Sequence, residues 1–151
     1  MEKTLVVAKN LYDMYRSNYR AEMDEMKMHK LMYFSQRENL LRHGEVLFDG
    51  TFYGWKYGPV LKEVRSEYRN GNLFSEVVGS VSESAKEVLE YVVEKYGALS
   101  SWKLSSLSHR EFSWKSARRG LDASQNGNNP LSLTAMKVDA AREKMTRTNC
   151  E

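Results

Sequence analysis

The sequence contains little cysteine and little proline, and it has no long apolar run. Its single cysteine, Cys150, cannot form an internal disulfide, which predicts a reducing, cytoplasmic setting. The apolar runs are far shorter than the roughly 18 residues that a membrane span needs. The first residues also lack the apolar core of a signal peptide. Two prolines in the whole chain favour helices over a turn-rich β-sandwich.

What the sequence does contain is typical of one ordinary globular domain. Apolar residues make up 41% and charged residues 28% of its 151 residues. Three Trp, nine Tyr and five Phe supply ample material for a core. A chain of this length buries about 68–70% of its unfolded surface, so it needs no disulfide or metal to fold. The formal net charge of +3 does not by itself indicate a nucleic-acid partner.

Apolar residues recur at spacings of three and four along most of the chain, which predicts helices. The predicted helices span 4–20, 24–43, 84–96, 113–119 and 134–146, with a helix from Gly58-Pro59 to Asn70 and a short one starting at Ser100 or Ser101. Apolar residues on several sides of 24–43 indicate a central helix. Thr4 and Asp24 are predicted N-caps, and Ser84 with Glu87 forms a capping-box pattern.

A strand signal occurs once, between the second and third predicted helices. Val46-Leu47-Phe48 and Thr51-Phe52-Tyr53 flank Asp49-Gly50, a dipeptide that suits a type I′ turn. The sequence therefore predicts a mainly α fold, a compact single-domain helical bundle with a small antiparallel β-hairpin. Residues 120–132 are polar and rich in Gly and Asn, and they are predicted to form a surface loop.

The sequence offers no strong signature of catalysis. The candidate metal ligands, His29, His43, His109 and Cys150, form no close pairs, so no metal site is predicted. Neither a phosphate-binding glycine loop nor a GxSxG nucleophile elbow occurs. We therefore expect a non-enzymatic protein without a cofactor, although a triad assembled from distant segments stays open.

Residues 101–120 combine positive charge with aromatic rings. Lys103, Arg110, Lys115, Arg118 and Arg119 stand against Glu111, and Trp102, Phe112 and Trp114 lie between them. Such a face can follow a phosphate backbone and stack bases, as in a nucleic-acid-binding regulator. The alternative is that the aromatic rings are core and the charges are solvated or meet an acidic protein. Helical spacing favours the alternative.

Four motifs occur in the order found in a known family. The segment 27–36 (KMHKLMYFSQ) resembles the K-L-H-K-L-L-Y-F-A-Q helix of the Panacea domain, the SocA-like antitoxin family. Gly44-Glu45-Val46-Leu47-Phe48, Trp55-Lys56-Tyr57-Gly58-Pro59-Val60 and the segment 99–109 with Trp114 are similar to its later motifs. Ser113 stands where the family usually has proline. The resemblance implies an antitoxin domain over 1–119, with 120–151 forming a loop and a C-terminal helix packed on it.

The resemblance also implies a function. It indicates a cytoplasmic antitoxin of a bacterial or phage-associated toxin–antitoxin system, acting in phage defence, which neutralises a protein toxin encoded by an adjacent gene. The motif residues expected to form the core are Leu31, Phe34, Trp55, Tyr57, Leu104 and Leu107. Gly58 and Pro59 are expected to shape the turn into the third helix. Candidates for partner contact are His29, Lys30, Lys56, His109 and Arg110, with internal hydrogen bonding between helix and hairpin as the alternative.

Overall fold

The computed structural model describes residues 1–150 and confirms a compact, mainly helical fold with one antiparallel hairpin. In chain order the elements are α1 (Thr4–Tyr19), α2 (Glu25–His43), β1 (Phe52–Trp55), β2 (Gly58–Leu61), α3 (Lys62–Asn70), α4 (Glu83–Tyr96), α5 (Ser101–Ser108), α6 (Phe112–Ala117) and α7 (Leu133–Asn149). Each predicted helix has a counterpart, with shifted ends in several cases.

Helix α2 lies at the centre of the bundle, as its sequence predicted. It packs against α1, α3, α4, α5, α7 and β2. Asp24 caps it by accepting a hydrogen bond from the Lys27 backbone N–H at 2.8 Å, and Gly44 ends it with φ +73°. Because neighbours surround the helix, its polar side chains are buried as well, namely His29, Lys30, Ser35, Gln36, Arg37, Glu38 and Asn39.

The core consists of aromatic and aliphatic side chains packed around α2. Leu31, Phe34 and Leu104 are buried, as predicted. The Phe34 ring stacks on Tyr96 with centroids 4.4 Å apart, an arrangement that adds to simple area burial.

The hairpin exists, but the predicted strands are wrong. β1 pairs with β2 from Phe52 opposite Leu61 to Trp55 opposite Gly58, so the turn is Lys56-Tyr57 rather than Asp49-Gly50. The segment before Asp49 has other partners: the Leu47 N–H donates to Gln36 Oε1 at 2.6 Å. Phe48 forms a parallel bridge with the N-terminal segment. These long-range contacts replace the local pairing.

Gly58 and Pro59 do not shape the turn into the third helix, because both lie in β2 and α3 begins at Lys62. Proline is tolerated there because β2 has a single strand neighbour and its outer edge needs no donor. Two predicted caps also differ. Thr4 donates to Asp49 Oδ1 at 2.8 Å instead of capping α1. Ser82 caps α4, so the predicted capping box at Ser84 is wrong.

Gly58 should tolerate alanine poorly. Its φ is +130°, and an added Cβ would lie 2.8 Å from both Lys30 Nζ and Ser108 Oγ. We expect Gly58→Ala to destabilise the fold by about 2–3 kcal/mol, the sum of backbone strain and crowding. The matched control is Gly71→Ala, with φ +73° and open space around it. It should cost about 1 kcal/mol from strain alone. Equal losses in the free energy of unfolding for Gly58→Ala and Gly71→Ala, measured in urea, would contradict the crowding at Gly58.

Residues after α6 return to the same body. Arg118 donates from Nη1 to the Gly54 carbonyl at 2.9 Å, and the Leu131 N–H donates to the Phe52 carbonyl at 2.8 Å. The segment predicted as a surface loop (120–132) is therefore held to β1 by Leu131, near its end, and by Arg118, just before it. Helix α7 then packs on α2 and α6.

Candidate functional site

Three of the motif segments meet around one buried side chain, Lys30 on α2. The residue is 2% exposed. Its Nζ lies close to Gly58, at the start of β2, and to Ser108, at the end of α5. A Cβ atom added to Gly58 would lie 2.8 Å from both Lys30 Nζ and Ser108 Oγ. Lys30 lines a cleft of about 410 Å³, here named the Lys30 cleft. Its lining residues are Glu25, Met26, His29, Lys30, Trp55, Lys56, Tyr57, Val60, Arg65, Arg69 and Asn126.

The Lys30 ammonium group carries its charge in a buried environment that disfavours the charged form. Burial lowers its pKa to about 8, against the opposing attraction of Asp24. Within residues 1–150, no carboxylate lies within 4.0 Å of Lys30 Nζ. A buried ammonium is ordinarily paired, so Lys30 is an exception that needs a reason.

His29, the neighbour of Lys30, is fixed by internal hydrogen bonds. Its Nδ1 accepts the Leu61 backbone N–H at 3.3 Å, and Nε2 lies 3.1 Å from Glu25 Oε2. Burial lowers its pKa, which keeps the ring neutral. Because Nδ1 accepts, Nε2 carries the proton and donates to Glu25. These contacts join α2 to β2 and favour the alternative of internal hydrogen bonding over partner contact for this residue.

Helices α5 and α6 hold the hairpin turn in place. Ser105 Oγ donates to the Tyr57 carbonyl at 2.8 Å. Trp114 Nε1 donates to the Trp55 carbonyl at 2.8 Å. The His109 ring stacks on Trp114 with centroids 4.1 Å apart, and it lies behind the turn rather than in the cleft. The segment 99–109 and Trp114 therefore position the turn.

Cations and aromatic rings form the rim of the Lys30 cleft. Arg65 Nη1 lies 3.1 Å from Glu25 Oε2, and the Arg65 guanidinium sits 4.9 Å from the centre of the Trp55 ring. The Glu25 pKa is lowered, first by its hydrogen bond with His29 and then by Arg65 and Arg69. Lys56 lies 5.1 Å from the centre of the neighbouring Tyr57 ring. The cleft thus carries four cationic side chains against one carboxylate.

Two large aromatic side chains are exposed beside the cleft. Tyr57 is 47% exposed and Trp102 is 64% exposed, and their rings meet edge to face with centroids 5.7 Å apart. The expectation that Tyr57 is a core residue is therefore wrong. Trp55 and Leu107 are half-buried rather than central. Tyr57 is pushed outward because it occupies the tight turn between β1 and β2.

A second cavity, of about 490 Å³, contains a buried network that the sequence did not reveal. Arg37 forms a salt bridge through Nη1 with Glu111 and donates from Nη2 to Tyr96 Oη at 2.9 Å. Its Nε has no hydrogen-bond partner in the described chain. Burial, with the nearby Asp139, raises the pKa of Glu111 to about 8, while Arg37 opposes that rise. We name this site the Arg37 cavity.

Asp139 on α7 organises the start of α6. Its Oδ1 accepts the Phe112 N–H at 2.7 Å, and its Oδ2 accepts the Ser113 N–H at 2.9 Å and the Tyr33 hydroxyl at 3.1 Å. Asp139 therefore satisfies free donors of α6 that no nearby residue reaches. Tyr33 and Asp139 are 106 residues apart. Local spacing gave no signal for this contact.

The five candidate contact residues divide between the two sites. His29, Lys30 and Lys56 line the Lys30 cleft, and His109 lies behind it. Arg110 is exposed at the rim of the Arg37 cavity instead. The structure thus brings three of the candidates together and separates Arg110 from them.

Several side chains of the basic 101–120 segment are engaged in contacts within the domain. Arg118 is buried and donates to backbone carbonyls of Gly54, Asp122 and Gln125. Trp114 is half-buried and stacked on His109. Of its aromatic side chains, Trp102 alone is well exposed within the described residues. The segment therefore offers few free rings on which bases could stack.

Across residues 1–150, no group of three or more His, Cys, Asp or Glu side chains is placed to hold a metal ion. None of the helices in this part of the chain has the length and apolar character needed to cross a bilayer.

Comparison with known families gave one match. The family described as "Antitoxin SocA-like, Panacea domain" matches residues 28–115, more than half of the chain. Comparisons with curated proteins and with solved structures gave no match. The matched segment runs from α2 to α6, so it contains Lys30, the hairpin and the α5 residues that hold the turn.

Proposed function

We propose, because the chain belongs to the SocA-like antitoxin family with a Panacea domain, that it is an antitoxin that binds its cognate protein toxin directly and thereby neutralises it. The family match carries this proposal. Under it, the protein needs a binding surface and no catalytic set. Steric coverage of the toxin's active or membrane-inserting surface is the mechanism.

The surface around the Lys30 cleft supports the proposal. Tyr57 and Trp102 form an exposed aromatic pair, and Lys56 and Arg65 stand beside it. Tyr, Trp and Arg are the residues that most often dominate binding energy at protein interfaces. A standard interface buries about 800 Å² on each partner, which one face of this domain can supply.

The biological setting is part of the same proposal. The toxin is encoded by an adjacent gene of a bacterium or phage, the pair acts in phage defence, and the two proteins meet in the cytoplasm. Residues 1–119 form the antitoxin domain, and 120–151 belong to the same body. The contacts of α7 support its packing on the antitoxin domain, because Asp139 bonds to α6 and Arg147 bonds to α2.

Co-expression with the neighbouring gene product tests the proposal. We expect the wild-type chain to relieve growth arrest and to co-purify with the toxin. Trp102→Ala should weaken the complex by about 30-fold, the effect of removing a hot-spot residue worth about 2 kcal/mol. Met145→Ala is the control, since Met145 is 64% exposed on α7, away from the cleft.

Further variants locate the toxin's binding face. Lys56→Glu and Arg110→Glu reverse a charge at the Lys30 cleft and at the Arg37 cavity, respectively. We expect the first to impair neutralisation and the second to leave it intact. Growth arrest that persists with the wild-type chain, without a complex, would contradict the antitoxin function. Salt-sensitive binding of the same preparation to DNA or RNA would instead favour the nucleic-acid-binding alternative.

A further inference from the structure

The Lys30 cleft contains a buried positive charge without a matching negative one. Lys30 lines the cleft, and its side chain is only 2% exposed. The one carboxylate of the lining, Glu25, is already engaged by His29 and Arg65. Because buried charges are normally paired, the cleft has the composition of an anion site whose anion comes from outside the chain.

The size and walls of the cleft indicate what the anion is attached to. A volume of about 410 Å³ accommodates a small organic group. Trp55, Val60 and Met26 supply apolar walls of the same cleft. Arg65 and Arg69 share Glu25 and are 34% and 64% exposed, and Lys56 is half-buried, so water can reach these three cations. Lys30 is the buried cation of the cleft that has no carboxylate partner among the described residues. A singly charged carboxylate beside an apolar group matches this arrangement better than a doubly charged phosphate.

We propose that the Lys30 cleft binds a carboxylate of the partner protein, placed next to an apolar residue that packs on Trp55 and Tyr57. The source of the carboxylate rests on the proposed function, since the partner is the toxin. An Asp or Glu side chain and a C-terminal carboxylate share the required chemistry. Lys30 supplies the ion pair, and Ser108 Oγ lies beside it as a further polar neighbour.

A matched pair of small probes tests the cleft without the toxin. N-acetyl-phenylalanine carries a carboxylate beside an aromatic ring, and its amide differs only in lacking the charge. In an NMR titration of the full chain we expect a Kd of about 1 mM for the acid, in the range typical of small ligands, and at least tenfold weaker binding of the amide. Lys30→Met should abolish binding of the acid. Lys86→Met, a change at an exposed lysine on α4, should leave it unchanged.

Glu25→Gln gives a test that a damaged fold cannot imitate. Glutamine can still accept the hydrogen bond from His29, but it no longer neutralises Arg65 and Arg69. We expect N-acetyl-phenylalanine to bind at least threefold more tightly to this variant. Equal binding of acid and amide, or binding of the acid that survives Lys30→Met, would overturn the proposal. Inorganic phosphate binding more tightly than the acid would overturn the choice of a carboxylate.

The toxin complex separates this inference from the antitoxin function. If the toxin binds wild type and Lys30→Met equally well, the antitoxin function stands and the carboxylate contact is refuted. If no toxin binds, but the acid probe binds through Lys30, the antitoxin function fails and the anion site stands. A Gly-Ser extension of the toxin's C-terminus should block binding if the terminal carboxylate is the ligand. Asp→Asn or Glu→Gln changes in the toxin should do so if a side chain is.

Discussion

At pH 9, above the Glu111 pKa of about 8, replacing Arg37 with methionine should destabilise the protein by about 3–5 kcal/mol, the usual cost of removing one partner of a buried ion pair. Arg37 forms the salt bridge with Glu111, donates to Tyr96 and sits 4.8 Å from the centre of the Phe34 ring. Its loss leaves the Glu111 carboxylate buried without its cation. Since the free energy of unfolding of such domains is about 5–15 kcal/mol, the expected loss is a large part of the total stability. Urea unfolding monitored by circular dichroism measures the change.

The double variant Arg37→Met/Glu111→Leu is the critical comparison. An apolar pair of similar volume removes both charges, so it should recover most of the lost stability. Arg119→Met, at an exposed residue on the surface, should change stability by less than about 0.5 kcal/mol. A single variant as stable as wild type, or a double variant less stable than the single one, would contradict the assigned role of the pair.

The pH dependence of the Arg37 variant follows from Glu111. The folded-state pKa of Glu111 is raised to about 8, so the folded chain keeps a proton that the unfolded chain loses near pH 4.5. Its contribution to stability therefore falls as the pH rises from about 4.5 to 8. Without Arg37, which lowers that pKa, the window extends above pH 8, and the cost of Arg37→Met grows with pH. The double variant should lack this dependence.

Features set by neighbouring residues were predictable from the sequence. Asp24 before α2 and Ser100 before α5 cap their helices through hydrogen bonds to backbone N–H groups three residues ahead. Gly44 ends α2 in the left-handed conformation that favours glycine. Each of these signals involves residues within one helical turn, so no knowledge of the fold is needed to read them.

Features set by distant residues were not predictable in the same way. Asp49-Gly50 has the composition of a hairpin turn, yet Gln36 binds the preceding strand segment and the real turn lies at Lys56-Tyr57. The Arg37–Glu111 pair joins residues 74 positions apart. Spacing reveals which face of a helix is apolar, but α2 is enclosed on every side, and its polar residues find partners from several other elements.

The candidate site was predictable in part, through the motif residues. The resemblance drew attention to His29, Lys30 and Lys56, which do line one cleft. It gave no reason to separate Arg110 from them or to expect an exposed Tyr57. The motif therefore identified the residues near the site, while the turn geometry decides which of them a partner can reach.

Lys30→Met should make the protein more stable, by about 1–3 kcal/mol at pH 7. Lys30 is 2% exposed and has no carboxylate within 4.0 Å in the part of the chain that the structure describes. Burial lowers its pKa from 10.5 to about 8, a shift that corresponds to a penalty of about 3 kcal/mol for the charged form. Methionine has similar length and no charge, so the penalty disappears. Thermal and urea unfolding of variant and wild type measure the gain.

The advantage of Lys30→Met should depend on pH in a defined direction. Between about pH 8 and 10.5 the unfolded wild-type chain still binds the proton that the folded chain has lost, so wild-type stability gains with rising pH. The variant lacks this gain, and the two proteins should approach equal stability near pH 10.5. The charged and titratable groups near position 30 are present in both proteins, and their own effects largely cancel in the difference; they are Asp24, Glu25, Arg65, Lys56 and His109.

The sign of this result separates two roles for Lys30. Replacing a lysine that stabilises the fold lowers the stability of the protein. Replacing a lysine that is kept for binding raises the stability of the protein while the site is empty. We therefore expect Lys30→Met to gain stability and lose the carboxylate probe, and Lys86→Met to change neither. A variant destabilised by 1 kcal/mol or more would show that Lys30 has a structural partner. In that case the premise of an unpaired charge in the cleft would be wrong.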